Sequence, residues 1–175
     1  MSLTTTPKAA AFAKTLYGGA APVLHGFEKA TQTYLKGAFL IDDDSGYVTE
    51  STSPIDASTV GKRTFGFALA AATGTTGSAT TGPNVAMLDV TAMTVFEGTL
   101  SDATAGTHTL AIADMHKVYP ITKSTHWYLD ANAVSDTGGG RVVGFKDPIG
   151  TVDGRVYFIV TNTARGGANA GSGTY

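Results

Sequence analysis

The chain has 175 residues, of which 42% are hydrophobic and 15% are charged, with a formal net charge of −2 and no cysteine. This length is enough for one domain, or two small ones, with a modest core. The charge balance offers no basic surface for direct nucleic-acid binding, and the lack of cysteine excludes disulfides and thiolate metal sites. No apolar run approaches the roughly 20 residues needed to cross a bilayer, so we expect no membrane partner.

The first 30 residues are predicted to form an extended N-terminal arm. Residues 1–8 lack the basic start and apolar core of a signal peptide, so we expect a chain kept in a cytosol, or in a particle assembled there. Helical spacing of Phe12 and Leu16 predicts a short helix over residues 8–16, stopped by two glycines. The alternative is a disordered leader. An arm ordered by a partner would make contact through its apolar anchors, which are Phe12, Leu16, Tyr17, Leu24 and Phe27.

Residues 31–82 are predicted to form a small β-subdomain. The β-rich run at residues 34–41 ends in a hairpin turn of Asp, Ser and Gly at residues 42–46, followed by residues 47–49, since these residue types tolerate tight reversals. After a polar connection, residues 63–70 are predicted to form another strand. Residues 71–83 contain only Ala, Thr, Gly, Ser and Pro, and they are predicted to be unpacked, as an exposed loop or a hinge. This segment is the candidate boundary between two β-modules.

Residues 83–164 are predicted to form a second, barrel-like module, followed by a Gly-rich tail at residues 165–175. A short helix is predicted over residues 110–119, because apolar positions there have near-helical spacing and Pro120 ends the pattern. Val156 and Phe158 alternate with Tyr157, so we expect both to face a core. The predicted fold class is mainly β: a small antiparallel barrel or sandwich with a short helix, preceded by a smaller β-subdomain and an extended arm.

No residue pattern indicates catalysis, a metal or a cofactor. The acidic run at residues 42–44 lacks the alternating ligands of a calcium loop, so we interpret it as a solvated turn. The serines have no nucleophile-elbow sequence, and the Gly-Lys-Arg-Thr at residues 61–64 lacks the upstream glycine of a phosphate loop. The histidines have no zinc-site spacing: His25, His108, His116 and His126. We therefore predict a protein that is not an enzyme.

Four large rings in the second module have two interpretations. A carbohydrate platform would need them exposed and coplanar, whereas such rings more often fill a barrel core. We expect core positions for Tyr119, Trp127, Tyr128 and Phe145.

Four motifs in the second module point to one family. They are TVFEG at residues 94–98, ADMHKVY at 113–119, HWYLD at 126–130 and GTVDGRVYF at 150–158. Their order and spacing resemble those of the head decoration (cement) proteins of tailed bacteriophages. In that family a strand of the first type is followed by a short helical turn, a WYxD strand and a closing strand.

The resemblance implies a structural virion protein, made in the host cytoplasm and bound to the outer capsid surface. Its implied partners are adjacent major capsid proteins, which it would clamp together, and neighbouring copies of itself. The oligomeric state stays open, with a trimer as one arrangement. The runner-up function is a receptor- or glycan-binding module of a tail fibre or surface appendage, which exposed rings at Trp127, Tyr128 and Tyr119 would favour.

Overall fold

The computed structural model describes residues 7–8, 10–15, 18–43, 45–51, 54–55, 64–78, 80–90, 94–132 and 139–161. These residues are mainly β, as predicted, and no helix among them is long and apolar enough to cross a membrane. The strands are β1 Ala11–Thr15, β2 Val23–Glu28, β3 Phe39–Asp42, β4 Tyr47–Glu50, β5 Thr64–Ala68, β6 Val85–Asp89, β7 Thr94–Ser101, β8 Val118–Tyr119, β9 Ile121–Lys123, β10 Trp127–Asp130, β11 Gly140–Phe145 and β12 Arg155–Val160.

Strands β2 to β6 form a small closed barrel in the order β2-β4-β3-β5-β6. Its interior is tight, because a Cβ on Gly66 would collide with the Met87 side chain and one on Gly26 with Val48. Residues 23–28, predicted as part of the arm, form β2 and pair with both β4 and β6. They belong to the barrel because pairing on two sides satisfies their backbone groups and packs Leu24 against the core.

The other strands form an open sheet in the order β8-β11-β12-β7-β10-β9, with β1 as a further partner of β7. Residues 11–15, predicted as part of a short helix, are therefore a strand. On the side of β7 that β10 occupies, β10 pairs only with Leu100 and Ser101. Strand β1 pairs with the rest of that side, with Phe12 opposite Phe96. Pairing with the edge of β7 therefore decides the structure of residues 11–15, against the helix that their local spacing predicted.

The boundary between the two sheets follows Asp89 and does not coincide with the predicted division at residues 82 and 83. Strand β6 pairs with β2 and β5 inside the barrel. The loop before it is also packed, although its composition predicted that it could not pack. The buried Glu28 carboxylate accepts hydrogen bonds from the Thr73 amide at 2.8 Å, the Thr73 hydroxyl at 2.9 Å and the Gly74 amide at 2.6 Å.

One aromatic cluster joins the two sheets. The ring of Phe39, in the barrel, lies 5.7 Å from the rings of both Phe96 and Trp127 in the open sheet. Phe67 lies 4.8 Å from Phe96, and Phe158 lies 5.8 Å from Phe96. The prediction that Val156 and Phe158 face a core is confirmed, since both are buried. Barrel and sheet therefore share a single core.

The helix predicted over residues 110–119 is reduced to one 3-10 turn, Ile112–Asp114. The chain leaves it through His116, whose φ of +66° lies in the left-handed region that ends a right-handed helix. The amide of His116 donates to the Val142 carbonyl, and Val118 then pairs with Arg141 as part of β8. Pairing with β11 replaces the helical hydrogen bonds.

Candidate functional site

The described residues contain no group of three or more His, Asp or Glu side chains that could hold a metal. The acidic turn after β3 is a hydrogen-bonded reversal, in which Asp43 accepts from the amides of Ser45 and Tyr47 and pairs with Lys29 at 2.8 Å. Asp44 and residues 61–63 lie outside the described residues.

Three exposed apolar side chains lie on paired segments at one end of the open sheet. We define the apolar tip as Ile112, Ile149 and Val152, whose exposed fractions are 68%, 54% and 55%. These are three of the six large apolar side chains that are exposed among the described residues. They lie on two segments joined by backbone hydrogen bonds, from Leu110 to Thr151 at 3.0 Å and from Gly150 to Leu110 at 2.8 Å.

A buried carboxylate holds the first segment of the apolar tip, which carries Ile112, in place. Asp114, 2% exposed, accepts hydrogen bonds from the Tyr119 hydroxyl at 2.7 Å and from the Ala111 amide at 2.9 Å, and it pairs with His108 Nε2 at 2.9 Å. Burial opposes ionisation of Asp114, but these hydrogen bonds outweigh it, so the pKa of Asp114 lies below its ordinary value. Burial and the Asp114 carboxylate together raise the pKa of Tyr119. The 3-10 turn is thereby fixed to β8.

The second segment of the apolar tip is fixed at Asp153. This residue has a φ of +48° and accepts hydrogen bonds from the Ser101 hydroxyl at 2.8 Å and from the His108 amide at 2.9 Å. Leu110 packs so closely on Gly154 that a Cβ there would contact it at 2.5 Å. The apolar tip is therefore a supported surface, tied to the end of β7 and the start of β12.

The predicted arm anchors that the structure describes fall in two different environments. Phe12 is 39% exposed on β1, whereas Leu24 and Phe27 lie partly buried in the barrel strand β2. Leu16 and Tyr17 lie outside the described residues. The described anchors therefore do not form one surface.

The aromatic rings of the second module lie mostly in the core. Trp127, Tyr128 and Tyr119 are buried, which confirms the core interpretation for these three, and Phe145 is partly buried against the same cluster. Burial raises the pKa of Tyr128 to about 12, with smaller contributions from Asp130 and Asp102. A carbohydrate platform of exposed, coplanar rings is not formed by these residues.

Sequence reasoning did not find the apolar tip. Ile112 lies in the segment predicted as a helix from the near-helical spacing of its apolar residues, and that spacing does not indicate which of them are exposed. Ile149 and Val152 lie in a turn-like sequence, after Pro148 and on either side of Gly150. This position among turn residues is the one feature of the sequence that indicates their exposure. An apolar side chain in a rigid turn has little access to the core, so it faces solvent or a partner.

Comparison with protein-family models, with curated proteins and with solved structures finds no match to this chain.

Proposed function

We propose that this chain is a structural virion protein that binds the outside of an assembled phage capsid and stabilises it by clamping adjacent major capsid proteins. The observation that supports this function is the apolar tip. Ile112, Ile149 and Val152 are exposed, yet hydrogen bonds to Asp114 and Asp153 hold their segments in place. Exposed apolar side chains on a fixed support are typical of a protein-binding surface, because little order has to be gained on binding.

Three of the four motifs behind the resemblance lie on adjacent strands of the open sheet. Residues 94–98 lie in β7, at the centre of the open sheet, and residues 155–158 pair alongside them in β12. Residues 127–130 form β10, which lies on the side of β7 opposite to β12 and pairs with the C-terminal end of β7. These three strands lie in the spatial order β12-β7-β10, and Ile149 and Val152 of the apolar tip precede β12. The fourth motif, residues 113–119, ends in β8 at the edge of the sheet.

Binding to an assembled shell would follow from mass action. A surface of three apolar side chains gives modest affinity for one subunit, whereas neighbouring sites on a lattice raise the effective concentration. A protein that binds the assembled shell and not its dissociated subunits shifts the equilibrium toward the shell. We therefore expect retention on shells to exceed affinity for the isolated major capsid protein.

The test compares the same substitution at two valines of similar exposure, 55% at Val152 and 49% at Val23. Undecorated, expanded shells of the cognate phage are incubated with full-length chain and sedimented. Val152→Ser should weaken binding about tenfold, since a buried Val contributes roughly 1.5 kcal/mol. Val23→Ser, at a site 49% exposed on β2, should bind as wild type does.

Two results would contradict the proposal. Equal losses of shell binding for both variants, or no loss for Val152→Ser, would show that the apolar tip is not part of the contact. Equal affinity of the wild-type chain for shells and for dissociated subunits would show that neighbouring sites on the lattice do not strengthen binding.

A further inference from the structure

A second surface lies where the barrel meets the open sheet, separate from the apolar tip. It is a cleft of about 240 Å³, open to solvent. Four chain segments line it: Ala10 before β1, residues 33–38 before β3, Glu50 at the end of β4, and residues 123–127 between β9 and β10. Neither sheet forms this cleft alone, so its shape depends on the shared core.

The single glutamate of the cleft is already engaged. The Glu50 carboxylate receives hydrogen bonds of 2.7 Å from Lys123 Nζ to both of its oxygens, and one of 3.2 Å from the Trp127 indole nitrogen. Lys123 and Glu50 thus neutralise each other within the cleft.

A second lysine has no such partner. Lys36 is exposed and makes no hydrogen bond or ion pair with any residue that the structure describes. Two lysines against one glutamate leave the lining with one positive charge in excess. The chain as a whole carries a formal charge of −2, so this local excess is opposite in sign to the protein.

Apolar atoms adjoin the cationic group. Leu35, next to Lys36, is 56% exposed at the rim, and the lining also includes Ala38 and the edge of the buried Trp127. A ligand that satisfies this lining has a carboxylate for Lys36 and an aliphatic group for Leu35. An extended peptide offers both from side chains two residues apart, since residues i and i+2 point to the same face.

We propose that this cleft binds a short acidic-aliphatic segment of a partner protein, with one carboxylate on Lys36 and one aliphatic side chain on Leu35. This inference is independent of the apolar tip and of the proposed function. It would hold for a capsid partner and for any other protein with such a segment.

Trp127 is the only tryptophan of the chain, so its indole N–H gives a single NMR signal from the cleft wall. The probe is a blocked tripeptide of glutamate, alanine and leucine, in that order, and its control has glutamine in place of glutamate. We expect a saturable shift of the indole signal with the acidic peptide, in the millimolar range or tighter. The glutamine peptide should bind at least about tenfold more weakly, and added salt should weaken the acidic peptide.

Variants localise the contact. Lys36→Ala should weaken the acidic peptide about as much as the glutamine replacement does, because both remove the same charge pair. Lys117→Ala removes a lysine that does not line the cleft and should leave affinity unchanged. The proposal is overturned by an absent or non-saturable shift, by equal binding of the two peptides, or by equal losses in both lysine variants. Equal binding of free glutarate and the acidic peptide would also overturn it, since the leucine would then contribute nothing.

Discussion

The barrel and the open sheet differ in whether they have edge strands. Each barrel strand is paired on both sides, so β2 to β6 leave no edge exposed. The open sheet keeps edges: β1 pairs only with β7 among the described strands, and β8 and β9 end the sheet. The apolar tip also belongs to the open sheet. Closure satisfies backbone hydrogen bonds internally, whereas an open sheet leaves groups for a partner. We therefore expect the barrel to contribute mainly to stability and the open sheet to carry the proposed capsid contact.

The largest expected effect comes from removing a barrel strand. Deletion of residues 1–30 removes β2 and leaves β4 and β6 without their shared neighbour. We expect loss of cooperative thermal unfolding and of the β-type circular dichroism spectrum. Deletion of residues 1–19 removes β1 but keeps β2, and this chain should stay folded with a lower Tm. A chain lacking residues 1–30 that melts like wild type would show that the barrel does not need β2.

Phe39→Ala tests whether the two regions unfold together. Phe39 is fully buried and contacts Phe67 in the barrel and Phe96 and Trp127 in the sheet. The substitution should lower the free energy of unfolding by about 3–5 kcal/mol, as for other buried large-to-small changes. Hydrogen exchange should show equal loss of protection in β3 and β10. Loss confined to the barrel would mean that the sheet folds by itself.

Asp114→Asn addresses the support of the apolar tip, with a smaller effect. It should cost about 1–3 kcal/mol at pH 7, because hydrogen bonds to a charged group are weakened. The folded pKa of Asp114 is lowered, so its stabilisation is present above the unfolded pKa of about 3.9 and is lost as pH falls through the folded pKa. Chemical unfolding at pH 7 and pH 2 should therefore show the gap between wild type and variant narrowing at low pH. A gap independent of pH would contradict an ionised Asp114.

The smallest expected effect on stability is at the free edge. Phe12→Ser on β1 changes a side chain that is 39% exposed, so we expect a loss of less than about 1 kcal/mol in the free energy of unfolding. Ile112→Ser, at a more exposed site, serves as the matched control and should change stability as little. A loss of several kcal/mol for Phe12→Ser alone would show that β1 is part of the core.

Much of the open sheet was predictable from sequence because its signals are local. The alternation of Val156 and Phe158 with Tyr157 identified β12 and its buried face, and burial of Trp127 followed from the usual preference of large rings. The barrel was less predictable from the sequence. Glu28 ends β2 as a charged residue, yet it is fully buried because loop amides from Thr73 and Gly74, some 45 residues away, hydrogen-bond its carboxylate.

The sequence by itself determined the mainly-β class, the inward faces of the alternating strands and the core placement of Trp127, because each depends on side-chain types and period. Only the tertiary structure decided which strands close the barrel, the conversion of residues 11–15 from helical spacing to β1, and the concentration of Ile112 and Ile149 on paired segments. These features depend on hydrogen bonds and packing between distant segments, and no local pattern encodes which edge a strand will meet.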